Sequence, residues 1–144
     1  MTANQYLKQY EEAVNRVRQC REQYIVESLQ IDAIRSTSDN DGMPHGTGKS
    51  DPTANKAVRL SQRMQRLIRA EEQALELQQD IFDTIMLVGG LEADVLIERF
   101  LKLKKWDDVC KAVHYSWPVV RNAWHRGEEK IQVILNKSYK RLQQ

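Results

Sequence analysis

The chain has 144 residues, 41% of them hydrophobic and 29% charged, with a formal net charge of +2, which fits one folded domain or a domain with an extension. No window approaches eighteen consecutive apolar residues, which excludes a membrane span, and the polar first thirty residues, with Glu11, Glu12 and Glu22, exclude a signal peptide. Cys20 and Cys110 are too few and too far apart for a disulfide framework or a zinc site, and the expected setting is a reducing, intracellular one.

The first predicted element is a long helix from Thr2 to about Ile34, free of Gly and Pro. Its apolar positions, Tyr6, Tyr10, Val14, Val17, Tyr24, Ile25, Ile31 and Ile34, fall near helical spacing. Arg21 and Ser28 interrupt this thin stripe, so the helix needs a partner. A Gly-, Pro-, Ser- and Asp-rich linker follows at about residues 36–52.

Within that linker the stretch GMPHGTGKS ends as a phosphate-binding P-loop does. A P-loop requires a Gly separated by four residues from the Gly-Lys-Ser, between a buried strand and a helix. That position is Met43, Gly42 is one residue early, and the preceding VESLQIDAIRS has helical periodicity. The expectation is an inter-helix connector with no nucleotide chemistry, in a chain that is not an enzyme and carries no cofactor. His45, His114 and His125 have no spacing suited to a metal.

Asp51-Pro52 is a good helix start, as N-cap and first helical residue. A second long helix is predicted from Pro52 to about Val88, where Gly89-Gly90 stops it. Its stripe is Ala57, Leu60, Met64, Leu67, Ala74, Leu75, Ile81, Ile85 and Val88, a coiled-coil-like spacing broken by Glu71 and Gln78. Two such helices joined by a linker suggest an antiparallel hairpin, or pairing with a second subunit as a dimer.

The rest of the chain is more basic. Residues 1–90 hold 11 Lys and Arg against 13 Asp and Glu, a net −2, whereas residues 91–144 hold 11 against 7, a net +4. A polyanion, if bound, is better placed on the C-terminal part. That part reads as a short helix from Leu91 to Leu103, with Val95, Leu96, Phe100 and Leu103 inward. A second runs from Trp106 to Val113, with Trp106, Val109, Cys110 and Val113 inward. After His114-Tyr115-Ser116, a longer helix starts at Trp117-Pro118 and runs towards Tyr139. This is helix-turn-helix punctuation. His114 is placed at a positive φ, Tyr115 fills the core at the turn, and Ser116 caps the last helix through its hydroxyl. Val120, Ala123, Gly127, Ile131 and Ile134 form its buried stripe, with Trp124 at the edge and the small residues permitting close packing.

Outward-facing residues then form a reading face. Trp117, Arg121, Asn122 and His125 project from the first two turns of the last helix, the turns that enter a major groove in this motif. Arg suits guanine and Asn suits adenine there. Lys102, Lys104, Lys105 and Lys111 lie where phosphate contacts are usual, and Arg126 and Lys130 reach towards the backbone beyond the groove. Glu128 and Glu129 repel phosphate unless they turn away.

The segment from about Ile97 to Leu135 resembles the region 4 helix-turn-helix of sigma-70-type sigma factors. It is more similar still to small sigma-like proteins of phages of Gram-positive bacteria. WDDVC, HYS and VRNAWHRG match, in order and spacing, a W-[DE]-[DE]-[IV]-[AC] start, a Y-S turn and a V-x-x-[AL]-x-x-x-[AG] recognition helix. The linker, with its GMP and SDPTAN, also resembles those proteins. His114 stands where Gly is common, and Trp117-Pro118 where polar or basic residues are common. The resemblance to these ArpU/RinA-like late transcription activators implies an all-α, sequence-specific transcription regulator in the cytoplasm of a bacterial host. Residues 1–90 would serve oligomerisation or partner docking, and residues 91–144 DNA binding. The implied partners are double-stranded DNA, further copies of the chain and possible docking on RNA polymerase. The alternatives are a helical protein-binding adaptor and a small terminase subunit.

Overall fold

A computed structural model describes residues 1–38 and 52–144, and side chains outside 34–38 and 52–53. The P-loop-like stretch, the linker, the capping role of Asp51 and the side chain of Ile34 lie outside the described residues. The fold is all-α. Helix α1 spans Ala3–Ser38, α2 Pro52–Val88, α3 Gly90–Leu96, α4 Trp106–Val113 and α5 Trp117–Leu142, and a π-helical turn, Ile97–Leu101, continues α3. The chain forms two compact units, Met1–Ala13 with Ala74–Gln144, and Val14–Gln73, and in each a part of α1 packs on a part of α2.

In the second unit, the later part of α1 runs antiparallel to the first part of α2. Ile31, Leu67 and Ala70 are buried there. Arg63 Nε donates to Glu27 Oε1 at 3.0 Å, and Arg21 Nη2 to Glu71 Oε1 at 3.2 Å. The inward positions of α2 across both units include Leu60, Leu67, Ala70, Ala74, Ile81 and Ile85. Three expected seam residues, Ala57, Met64 and Leu75, are exposed, as is Ile25 on α1. The seven-residue repeat passes through Arg63 and Ala70 instead. Alanine there brings the backbones close, and the arginine extends its charge to Glu27 at the seam's edge.

The first unit is more compact. One cluster joins Ala3, Leu7, Ile81 and Ile85 to Ala93, Leu96, Phe100, Leu101 and Ile131. A second joins Val95 of α3, Val109 of α4, and Val120 and Ala123 of α5. Trp124 packs against both. Hence the segment 91–144 does not close its core alone: the start of α1 and the end of α2 complete it. The Tyr6 hydroxyl meets Thr84 Oγ1 at 2.9 Å, and Gln132 Oε1 accepts the Ala3 backbone N–H at 2.8 Å.

Gly89 and Gly90 both take positive φ, 69° and 64°, and break α2 from α3 as their sequence suggests. The helix expected over Leu91–Leu103 is shorter. Lys102 N–H bonds to the Ile97 carbonyl at 2.9 Å, five residues back, which adds a residue to the last turn. That extra residue brings Leu101 inward, while Leu103, expected in the core, is exposed at φ 57°. Trp106 is half-buried rather than enclosed.

The turn between α4 and α5 has its expected reversal at His114, φ 61° and ψ 37°. Tyr115 N–H returns to the Cys110 carbonyl at 3.3 Å, which closes the C-terminus of α4. Tyr115 itself is 51% exposed, contrary to its expected core role. The left-handed step swings the chain clear of α4, and the ring lies on an open groove with Leu91, Ile97 and Val113. Ser116 stands at the N-cap in extended conformation, but its hydroxyl makes no capping bond.

Helix α5 buries Val120, Ala123, Gly127 and Ile131, as the sequence predicts, whereas Ile134 is only half-buried. A methyl group on Gly127 would lie 2.9 Å from Leu96 Cδ1 and 3.4 Å from Glu92 Cβ. Leu96 is fully buried and has little room to yield. Overpacking of about 1–3 kcal/mol then exceeds the helix-propensity gain of about 0.5–1 kcal/mol for Gly→Ala. Gly127→Ala is expected to lower stability by about 1 kcal/mol in chemical denaturation, and a stabilised variant would show that α5 does not seat this closely on α3.

Candidate nucleic-acid interface

The exposed side of α5 begins with its first residues. Trp117, Arg121, Asn122 and His125 are all exposed, while Val120 and Ala123 between them are fully buried. Pro118 stands in the first turn, where its missing N–H leaves no intrahelical bond unmade. The four expected reading residues therefore share one accessible face on the first two to three turns.

An aromatic cluster stands behind that face. Trp106 of α4 meets Trp117 edge to face, ring centres 5.3 Å apart, and meets Trp124 at 4.6 Å. His125 stacks on Trp124 at 4.6 Å with an interplanar angle of 22°. Arg99 lies over the Trp106 ring at 4.9 Å, and its Nη1 donates to the Lys104 carbonyl at 2.7 Å. One guanidinium thus joins the π-helical turn, the connector 102–105 and α4. Trp117 and His125 are steadied from behind, whereas Arg121 and Asn122 extend without a side-chain partner among the described residues. The sequence offered each Trp singly, and only the fold brings the three together; the missed residue is Arg99, whose spacing to Trp106 is not a local signal.

The lysines divide into two groups. Lys102 and Lys104 both reach Glu98, at 2.7 Å and 2.6 Å. Arg126 and Lys130 both reach Glu92, at 3.3 Å and 3.5 Å. Lys105 and Lys111 are exposed and form no ion pair among the described residues. Of the cations expected to meet DNA, these two and Arg121 form no ion pair among the described residues. Lys102, Arg126 and Lys130 keep their own side chains exposed, although the carboxylates that hold them are largely covered.

The acidic residues of α5 separate. Glu128 Oε1 accepts the Trp124 indole N–H at 2.7 Å and the Asn4 amide at 2.9 Å. It is therefore tied to the start of α1 and turned from the reading face. Glu129 is exposed.

Glu98 is largely buried, which alone would raise its pKa. The hydrogen bond from Lys102 and the close ammonium of Lys104 outweigh that and hold its carboxyl below the ordinary carboxylate range. At Glu92, the bond from its own backbone N–H contributes most to a lowered pKa; burial opposes it, and Lys130 and Arg126 assist.

No protein-family model, characterised protein or solved structure matches the chain. No helix among the described residues is long and apolar enough to cross a membrane.

The two depressed carboxyls set a direction for pH dependence. Their contribution is present above the unfolded carboxyl pKa, about 4.3, and is lost as pH falls through the lower folded values. Acid titration of stability should show a decline below about pH 4.3 that is shallower in Glu98→Gln. Identical acid limbs for the two proteins would mean that Glu98 is not held ionised by its lysines.

Proposed function

We propose that the chain is a sequence-specific, double-stranded-DNA-binding transcription regulator whose α5 enters the major groove by its leading turns. One observation carries this reading: Trp117, Arg121, Asn122 and His125 are exposed on a helix whose other side, Val120, Ala123 and Gly127, is anchored in the core. Arg121 is the base-reading residue, suited to guanine O6 and N7, and Asn122 is suited to an adenine edge. Lys105 and Lys111 supply phosphate contacts from the connector and α4, and Lys102, Lys104 and Arg126 join them by exchanging carboxylate for phosphate. Single helix-turn-helix units of modest charge bind weakly, so two copies act on one site; the polymerase of the host is the further partner. The resemblance to phage late-gene activators points the same way.

A helical protein-binding adaptor is the second reading. It is favoured by the exposed apolar area of Tyr115, Trp117 and Val119 beside the same face. Fluorescence anisotropy at two salt concentrations separates the readings, because phosphate binding weakens steeply with salt and an adaptor binds no duplex at either concentration.

On a duplex selected from a random pool, Arg121→Ala should cost about 1–3 kcal/mol and relax the preference at one base pair. Lys105→Ala should weaken all duplexes alike and reduce the salt slope by about 0.9. Equal losses from both variants on every sequence would contradict base reading by Arg121.

A further inference from the structure

The charges of α2 are sorted by sign. Lys56, Arg59, Arg63, Arg66 and Arg69 occupy residues 52–70 with no acidic residue among them, and Glu71, Glu72, Glu76, Asp80 and Asp83 occupy residues 71–88 with no basic one. This arrangement opposes the helix dipole, which favours anions towards the N-terminus and cations towards the C-terminus. It also places like charges three and four residues apart, which destabilises a helix. Local helix energetics therefore do not account for the pattern; pairing with α1 accounts for Arg63 and Glu71, which meet Glu27 and Arg21, and leaves Arg59, Arg66 and Arg69 without an ion pair among the described residues.

Within the second unit the cations have distinct surroundings. Arg63 is bound to Glu27, and Lys56 is half-buried. Arg59, Arg66 and Arg69 are exposed and form no ion pair among the described residues. With Asn55 and Gln62, also exposed, they follow alternating steps of four and three, which places all five along one side of the helix. From Arg59 to Arg69 that side extends about 15 Å at 1.5 Å per residue, the axial span of about four phosphates of one DNA strand.

We propose that this side of α2 is a second, sequence-independent contact surface for the phosphate backbone of double-stranded DNA. The residue types fit that partner. Arginine presents a fork matched to phosphate oxygens and is less strongly hydrated than lysine. Asparagine and glutamine also bond to phosphate oxygens and add no base preference there. The surface rests on the DNA-binding reading and extends it: α5 discriminates sequence, and α2 adds affinity for any duplex.

The test uses the full chain and a 30-base-pair duplex, with binding measured at several salt concentrations. The variant Arg59→Gln/Arg66→Gln/Arg69→Gln should lower the slope of log affinity against log salt by about 2.7, at about 0.9 per phosphate contact. The loss should be the same for selected and unrelated sequences, and the corresponding triple Lys variant should retain the slope. Should the triple Gln variant lose helicity in circular dichroism, Arg66→Gln alone should lower the slope by about 0.9. An unchanged slope in folded Gln variants, with Arg121→Ala still impaired, overturns this surface and leaves the recognition helix standing. Binding lost in the triple variant but untouched by Arg121→Ala overturns the recognition helix instead. Failure of the unmodified chain to bind any duplex, or binding of an acidic protein alone, overturns both.

Discussion

The seating of α5 on α3 and α4 sets the position of every residue in the first unit's candidate interface. Gly127 brings the helix against Leu96, Ala123 and Val120 close the cluster with Val95 and Val109, and Trp124 spans both halves of the core. Because those residues recur at three- and four-residue steps, the other side of α5 is fixed in direction. Trp117, Arg121, Asn122 and His125 are presented together as a consequence of what is buried behind them. Preorganisation of this kind reduces the entropy lost on binding, and the contacts Trp106 makes with Trp117 and Trp124 extend it to ring orientation.

Electrostatics impose a second constraint on the same unit. Glu92 and Glu98 each gather two cations, which ties the connector and the middle of α5 to the α3 region. The arrangement trades free surface charge for order. Of the cations expected to meet DNA, it leaves Arg121, Lys105 and Lys111 with no ion pair among the described residues. The basic half of α2 belongs to the other unit, where Arg59, Arg66 and Arg69 form no ion pair among the described residues.

Much of this architecture was legible in the sequence. The start of α2 at Pro52, the double-glycine break, α4 at Trp106–Val113 and α5 from Trp117 all follow from capping, glycine and periodicity. His114 takes the left-handed conformation that the turn of a helix-turn-helix demands. What escaped has common causes. Regular helical counting places Leu103 in the core, and the π-helical turn shifts that count; the helix-turn-helix pattern places Tyr115 there, whereas its ring is exposed beyond the turn. Ala70 and Arg63 hold seam positions on α2 that an apolar stripe does not mark, because neither is a large apolar residue. The Arg99–Trp106 contact, the pairing of Lys102 and Lys104 with Glu98, and the capture of Glu128 by Asn4 depend on tertiary proximity, which no local pattern encodes.

The central claim is that the leading turns of α5 enter a major groove. Backbone amide chemical shifts of the full chain, followed by NMR as a selected duplex is added, test it most directly. The account predicts that the largest changes fall on Trp117–Arg126, with smaller ones at Lys105 and Lys111, while Leu96 and Ile131 hold their positions. Saturable binding that leaves Trp117–Arg126 unperturbed would contradict it.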